Sequence, residues 1–94
     1  MKISILIVDD EVDVRDAWDL ALRLAGFDVT TAGSPNDALE LAEQQAFDVV
    51  ILDFIIPGMT GLELLVRIRE RIPYIRSVIV SGKLNSSTSA ADIT

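Results

Sequence analysis

Asp9, Asp10 and Glu11 follow directly on the apolar run Ile3–Val8, and a further acid, Asp53, directly ends a second apolar run, Val49–Leu52. Both runs are β-branched and aliphatic without alternation, which is the pattern of strands covered on both faces. An ionised group is most costly at such a place, so Asp53 needs a partner or a task. Where the two strands lie side by side, their ends bring Asp9, Asp10 and Asp53 to one mouth. Two unit charges about 4 Å apart repel by about 4 kcal/mol at an effective dielectric near 20, and a third carboxylate adds to this. Such a cluster takes up protons or binds a cation. With no histidine and no cysteine in the sequence, a bound metal would be held by oxygen. Mg2+ suits a few carboxylates in an open, loop-built site better than zinc does, and calcium would want more protein ligands. A magnesium beside a carboxylate at an exposed strand end points to phosphoryl transfer with the aspartate as nucleophile, because the metal offsets the charge that repels an incoming phosphate.

The elements that must position these acids are legible as an alternation. Val12 to Ala25 carries Val14, Ala17, Trp18, Ala21, Leu24 and Ala25 at helical spacing, and Gly26 follows as a C-cap. Phe27 to Thr31 is a weaker strand. Ser34-Pro35-Asn36-Asp37 supplies an N-cap serine, a proline at the first helical position and an acid three residues after the cap, opening a helix to about Gln45. Thr60 to Ile72 repeats the helical period through Leu62, Leu65, Ile68 and Ile72 and ends before Pro73. Ser77 to Val80 is a last short strand, ending at Ser81. The order β-α-β-α-β-α-β implies a parallel sheet with right-handed crossovers and a ligand site beyond the carboxyl ends of the strands, where strand order reverses. Residues 83–94 are polar, small and without period, and are read as a tail or an incomplete loop or helix; residues 1–82 form the domain.

Composition narrows the function classes. The 94 residues, half of them hydrophobic, carry a net charge of -7, which marks a small, folded, acidic domain that repels nucleic acid. The opening MKISILIV stops at the acids with no small-residue cleavage site, and no stretch approaches the roughly 18 apolar residues of a membrane span. The expectation is a cytoplasmic protein without membrane or nucleic-acid contact. Arg67-Ile68-Arg69-Glu70-Arg71 is read as a solvated helix face, and Trp18 as packing.

The acidic pair Asp9-Asp10 with Glu11, the stretch "LDFIIPGMTGLELL" with Asp53, Pro57 and Gly61, and the strand end "VIVSG" resemble the receiver domain of two-component response regulators over essentially all of Ile3 to Gly82. The resemblance implies a flavodoxin-like, doubly wound α/β fold with strand order 2-1-3-4 and three helices. It makes Asp53 the acceptor of a phosphoryl group from a sensor histidine kinase or phosphotransfer protein, in a Mg2+-dependent phosphorelay step. Asp10 would ligate Mg2+ directly, Asp9 through a water, Asp53 and the backbone carbonyl of Ile55 completing the protein's share. Ser81 would bond the phosphoryl group and signal its presence, while the Ile55 and Lys83 side chains sit where receivers tune loss of the acyl phosphate. Such a domain phosphorylates itself and is not a turnover enzyme.

This sequence departs from the receiver pattern after Gly82. The fourth helix, the fifth strand with its aromatic switch residue, the lysine at that strand's end and the fifth helix are not recognisable. One apolar face of strands three and four would then be uncovered, and strand four would be an open edge. The expectation is a fragment of a longer protein, or a homodimer through that face or edge. Plainer readings stand beside these. Asp9 or Asp10 alone suits a helix N-cap, Ser81 a turn, and Pro57, Gly58 and Gly61 loop punctuation. A receiver-like interaction module that is not phosphorylated is the alternative function. An aspartyl phosphatase would want a second acid two residues past the nucleophile, where Ile55 stands.

Overall fold

Parallel strands buried on both faces need helices above and below, and the chain meets that need unequally. The structure, a computed structural model, describes residues 2–80 and 91–93. Strands β1 (Ser4–Val8), β2 (Asp28–Ala32), β3 (Val49–Asp53), β6 (Arg76–Val80) and β7 (Ala91–Ile93) form one sheet in the order β2-β1-β3-β6-β7. The first four are parallel in that order, as expected for the flavodoxin-like arrangement. Helices α1 (Val12–Leu24), α2 (Pro35–Gln44) and α3 (Gly61–Arg71) connect them, and a two-stranded hairpin, β4 (Ile55–Ile56) with β5 (Met59–Thr60), precedes α3.

Even-numbered positions of β1 and β3 face α2 and α3. Leu6, Val8, Val50 and Leu52 join Ala38, Ala42, Leu64, Leu65, Ile68 and Ile79 in the larger core. Odd-numbered positions face α1, where Ile5, Ile7, Val29 and Ile51 form a smaller cluster with Trp18 and Leu22 packed on it. No residue of α1 is fully buried. Leu24, placed on the apolar stripe by its spacing, is 79% exposed, because α1 turns Trp18 and Leu22 inward instead.

The ends of the helices follow their sequence signals. Gly26, at φ 98°, lets its own N–H reach the Arg23 carbonyl and that of Phe27 the Leu22 carbonyl, a Schellman closure of α1. Ser34 Oγ accepts from Asp37 N at 3.1 Å with Pro35 opening α2, and Thr60 Oγ1 accepts from Glu63 N at 3.1 Å at the start of α3.

Two expectations are corrected. The segment read as tail contains a strand, Ala91–Ile93, which pairs antiparallel with β6 and so covers the edge expected to be open. The loop between β3 and α3 is a hairpin. Pro57-Gly58 is its turn, with Gly58 at φ 100°, as a type II turn requires. No helix among the described residues is long and apolar enough to cross a membrane.

Candidate functional site

The register of β1 against β3 pairs Val8 with Leu52, so the next residues, Asp9 just past β1 and Asp53 at the end of β3, come side by side. Asp9, Asp10 and Asp53 each offer a carboxylate oxygen, and these oxygens lie within 4.8 Å of one another. Asp53 is 5% exposed and Asp9 is 9% exposed, while Asp10 sits partly in solvent. Each ionised pair at that separation repels by about 3 kcal/mol at an effective dielectric near 20.

Local hydrogen bonds orient Asp9 and Asp53. Asp9 Oδ1 accepts from Glu11 N at 2.9 Å, a turn ahead of α1; Glu11 itself is the N-cap, without a side-chain cap bond, so the capping reading of Asp9 and Asp10 does not hold. Asp53 Oδ1 accepts from Ile55 N at 3.2 Å. Gly61 N donates to the Phe54 carbonyl at 2.8 Å, which makes Phe54 and Gly61 a hydrogen-bonded pair of the hairpin. By the alternation of antiparallel ladders, Ile55 opposite Thr60 is then a pair without mutual bonds, and the hairpin uses neither the N–H nor the carbonyl of Ile55. The Ile55 side chain is exposed. Gly61 permits the close approach of α3: a Cβ there would lie 2.4 Å from the Asp53 carbonyl oxygen and 2.7 Å from Leu52 Cδ1.

Asp9 is held above the ordinary carboxylate range, chiefly by burial and further by the charges of Asp53, Asp10 and Glu11, against the lowering effect of the Glu11 N–H bond. The folded state therefore holds this proton more tightly than the unfolded chain does. The associated stability is present below the ordinary aspartate value and is lost as pH rises through the folded-state value. In metal-free buffer, Asp9→Asn is expected to melt higher than the wild type at neutral pH, with the gap closing in acid. Thermal melts across pH check this; a gap of opposite sign contradicts it.

Ser81 and Lys83 lie outside the described residues; Val80, just before Ser81, pairs with Asp53. Arg15 was not singled out by its sequence context, yet its Nη1 donates to the Asp9 carbonyl at 3.1 Å. A guanidinium aimed at a main-chain oxygen leaves no spacing signature.

A family model described as the response regulator receiver domain matches residues 5–93. The chain belongs to that family. The receiver domain is 36% identical over 81 residues to the probable transcriptional regulatory protein TcrX of Mycobacterium tuberculosis, covering 86% of this chain and 35% of that protein. Among solved structures it resembles the receiver domain of the hybrid histidine kinase CckA, at 34% identity and TM-score 0.80, over 85% of this chain and 76% of that one. It also resembles the Vibrio cholerae chemotaxis protein CheY4, at 29% identity and TM-score 0.83, over 93% of this chain and 74% of that one. The receiver domain spans from 18% to 35% of the length of four curated relatives it matches. Accepting a phosphoryl group is the general function of receiver domains, and they generally bind Mg2+ at an acidic pocket. The donor set here fits that ion: carboxylate oxygens converge at a partly open mouth, with neither sulfur nor imidazole among them.

Proposed function

We propose that this receiver domain accepts a phosphoryl group on Asp53 from the phosphohistidine of a sensor kinase or phosphotransfer protein, and that Asp9, Asp10, Asp53 and the Ile55 carbonyl hold Mg2+ for the step. The convergence of Asp9 and Asp10 on Asp53 at the end of a buried strand carries this reading. Bound Mg2+ would supply positive charge that neutralises both the carboxylates and the incoming phosphoryl oxygens. The Ile55 N–H holds Asp53 Oδ1, while Oδ2 makes no hydrogen bond to a described residue and serves as the attacking atom. A bond forms from Oδ2 to phosphorus as the phosphorus–nitrogen bond breaks, and the histidine nitrogen leaves with its electron pair. The product is a mixed anhydride with no change of oxidation state. β3 fixes the nucleophile against solvent-side motion, which supplies the positioning such a step depends on. The domain acts on itself, in the cytoplasm, and is not a turnover enzyme. Ser81 remains the candidate to bond the phosphoryl group, with Lys83 and the Ile55 side chain as modulators of its lifetime.

Phosphoramidate, a minimal phosphorus–nitrogen donor, tests the reading without a cognate kinase. With Mg2+ the intact mass is expected to rise by one phosphoryl group; no gain from a folded protein contradicts the proposal.

One observation favours self-association as a second property. Among the described residues α1 is the helix on its side of the sheet, and Asp13, Val14, Ala17, Trp18 and Ala21 line an open groove of ≈ 420 Å³ there. Val78 and Val80, on the same side of β6, are only partly buried. A second copy of this chain would bury both. The edge route has less support, since β7 occupies that edge. Sedimentation across concentration decides: a monomer at every concentration excludes the dimer.

A further inference from the structure

Asp9 is gripped at three points, and one of them is explained neither by the sheet nor by the turn into α1. Its N–H donates to the Ala32 carbonyl at 3.1 Å, tying the end of β1 to the end of β2. Its Oδ1 accepts from Glu11 N. Its carbonyl accepts from Arg15 Nη1 at 3.1 Å, across six residues and back from the first turn of α1. Gly33, just past β2, provides the seat for this guanidinium: a Cβ at Gly33 would stand 2.7 Å from Arg15 Nη1 and 3.7 Å from its Cζ.

The peptide between Asp9 and Asp10 is planar, so the direction of the Asp9 carbonyl sets the plane from which Asp10 departs. Fixing that carbonyl fixes the Asp10 N–H and Cα, the base from which the Asp10 carboxylate reaches the mouth. A guanidinium suits the task, because its planar fork loses little freedom on forming a hydrogen bond and its charge is permanent. It also brings a positive charge beneath a loop that carries Asp9, Asp10 and Glu11 in succession.

We propose that Arg15 is a positioning residue for the metal site, with Gly33 as its seat: it touches neither metal nor phosphoryl group, and acts by aiming the Asp9–Asp10 peptide. The proposal rests on the Mg2+ reading given above.

The test is calorimetric titration of Mg2+ into wild type, Arg15→Ala, Arg15→Lys, Gly33→Ala and the Arg15→Ala/Gly33→Ala pair, with melting curves to confirm folding. Disturbing a group that orients a metal ligand costs from about tenfold to about a hundredfold in affinity. Because this bond aims the ligands through the backbone, the low end is expected. Arg15→Ala and Gly33→Ala should each weaken Mg2+ binding about tenfold, and Arg15→Lys should recover part of the loss. The pair should be no weaker than Arg15→Ala, since both changes remove one interaction. Gly33→Ala meets only the far end of a flexible side chain, so it keeps the test open if Arg15→Ala folds poorly. Wild-type affinity in either folded variant, a lower melting point being its only change, overturns the proposal, as does an additive pair. Asp10→Asn separates the two readings: Mg2+ binding unaffected by that change refutes the acidic site and Arg15's part with it, whereas binding lost in Asp10→Asn but kept in folded Arg15→Ala and Gly33→Ala refutes Arg15's part alone.

Discussion

Asp53→Asn is expected to remain folded, to melt slightly higher than the wild type in metal-free buffer, and to gain no phosphoryl group from any donor. The two effects share one cause. Asn keeps an oxygen for the Ile55 N–H, so the bond at 3.2 Å that shapes the start of the hairpin survives. It removes a buried negative charge from beside Asp9 and Asp10, which lie within 4.8 Å, and so relieves repulsion worth on the order of 1 kcal/mol or more after solvent screening. The amide nitrogen offers no electron pair for attack on phosphorus, so acceptance falls to nothing measurable. Intact mass and thermal melts on the same preparation read both outcomes. An Asn variant that melts lower and still gains the phosphoryl group would place the acceptor elsewhere.

The largest effect on stability is expected at Gly61, where two physical tendencies oppose each other. Helix propensity favours Ala over Gly by about 1 kcal/mol in a helix interior, and Gly61 opens α3. Against this, a Cβ would stand 2.4 Å from the Asp53 carbonyl oxygen and 3.1 Å from Phe54 Cα, both main-chain atoms with no rotamer to yield. Overpacking costs typically about 1–3 kcal/mol and more where backbone must move, so the clash wins at Gly61→Ala and widens at Gly61→Val. For a domain of this size about 3 kcal/mol corresponds to a fall in melting temperature of roughly 12–24 °C. The displaced atoms belong to Asp53 and its neighbour, so phosphoryl acceptance should slow as well. An Ala variant that melts at or above the wild type would show that α3 can slide away from β3 at little cost.

What the sequence made legible and what it did not divide along physical lines. The strand ends bearing Asp9, Asp10 and Asp53 are plain because an acid after an unbroken aliphatic run is rare without a reason, and parallel alternation brings those ends together. Ser34 and Gly26 cap their helices as their types and positions indicate. Gly61 read only as loop punctuation, because its need arises from the Asp53 carbonyl across a tertiary contact that no local pattern encodes. The hairpin of Ile55–Ile56 with Met59–Thr60 is too short to show a period of two. Ala91–Ile93 gives no apolar run, and its pairing with β6 depends on the free ladder of an edge and not on its own propensity. The exposure of Leu24 has the reverse cause: its spacing is helical, but α1 has too little covering it for the whole stripe to be buried.

The most direct test of the central claim, that Asp53 accepts a phosphoryl group with Mg2+ held by the neighbouring aspartates, is a mass measurement on the wild-type chain incubated with acetyl phosphate, with Mg2+ and with the metal chelated, followed by peptide mapping of the product. A single added phosphoryl group on the peptide carrying Asp53, formed with Mg2+ and not when it is chelated, is the predicted result. A phosphoryl group on another residue, an equal yield without the metal, or a folded chain that gains nothing would contradict it.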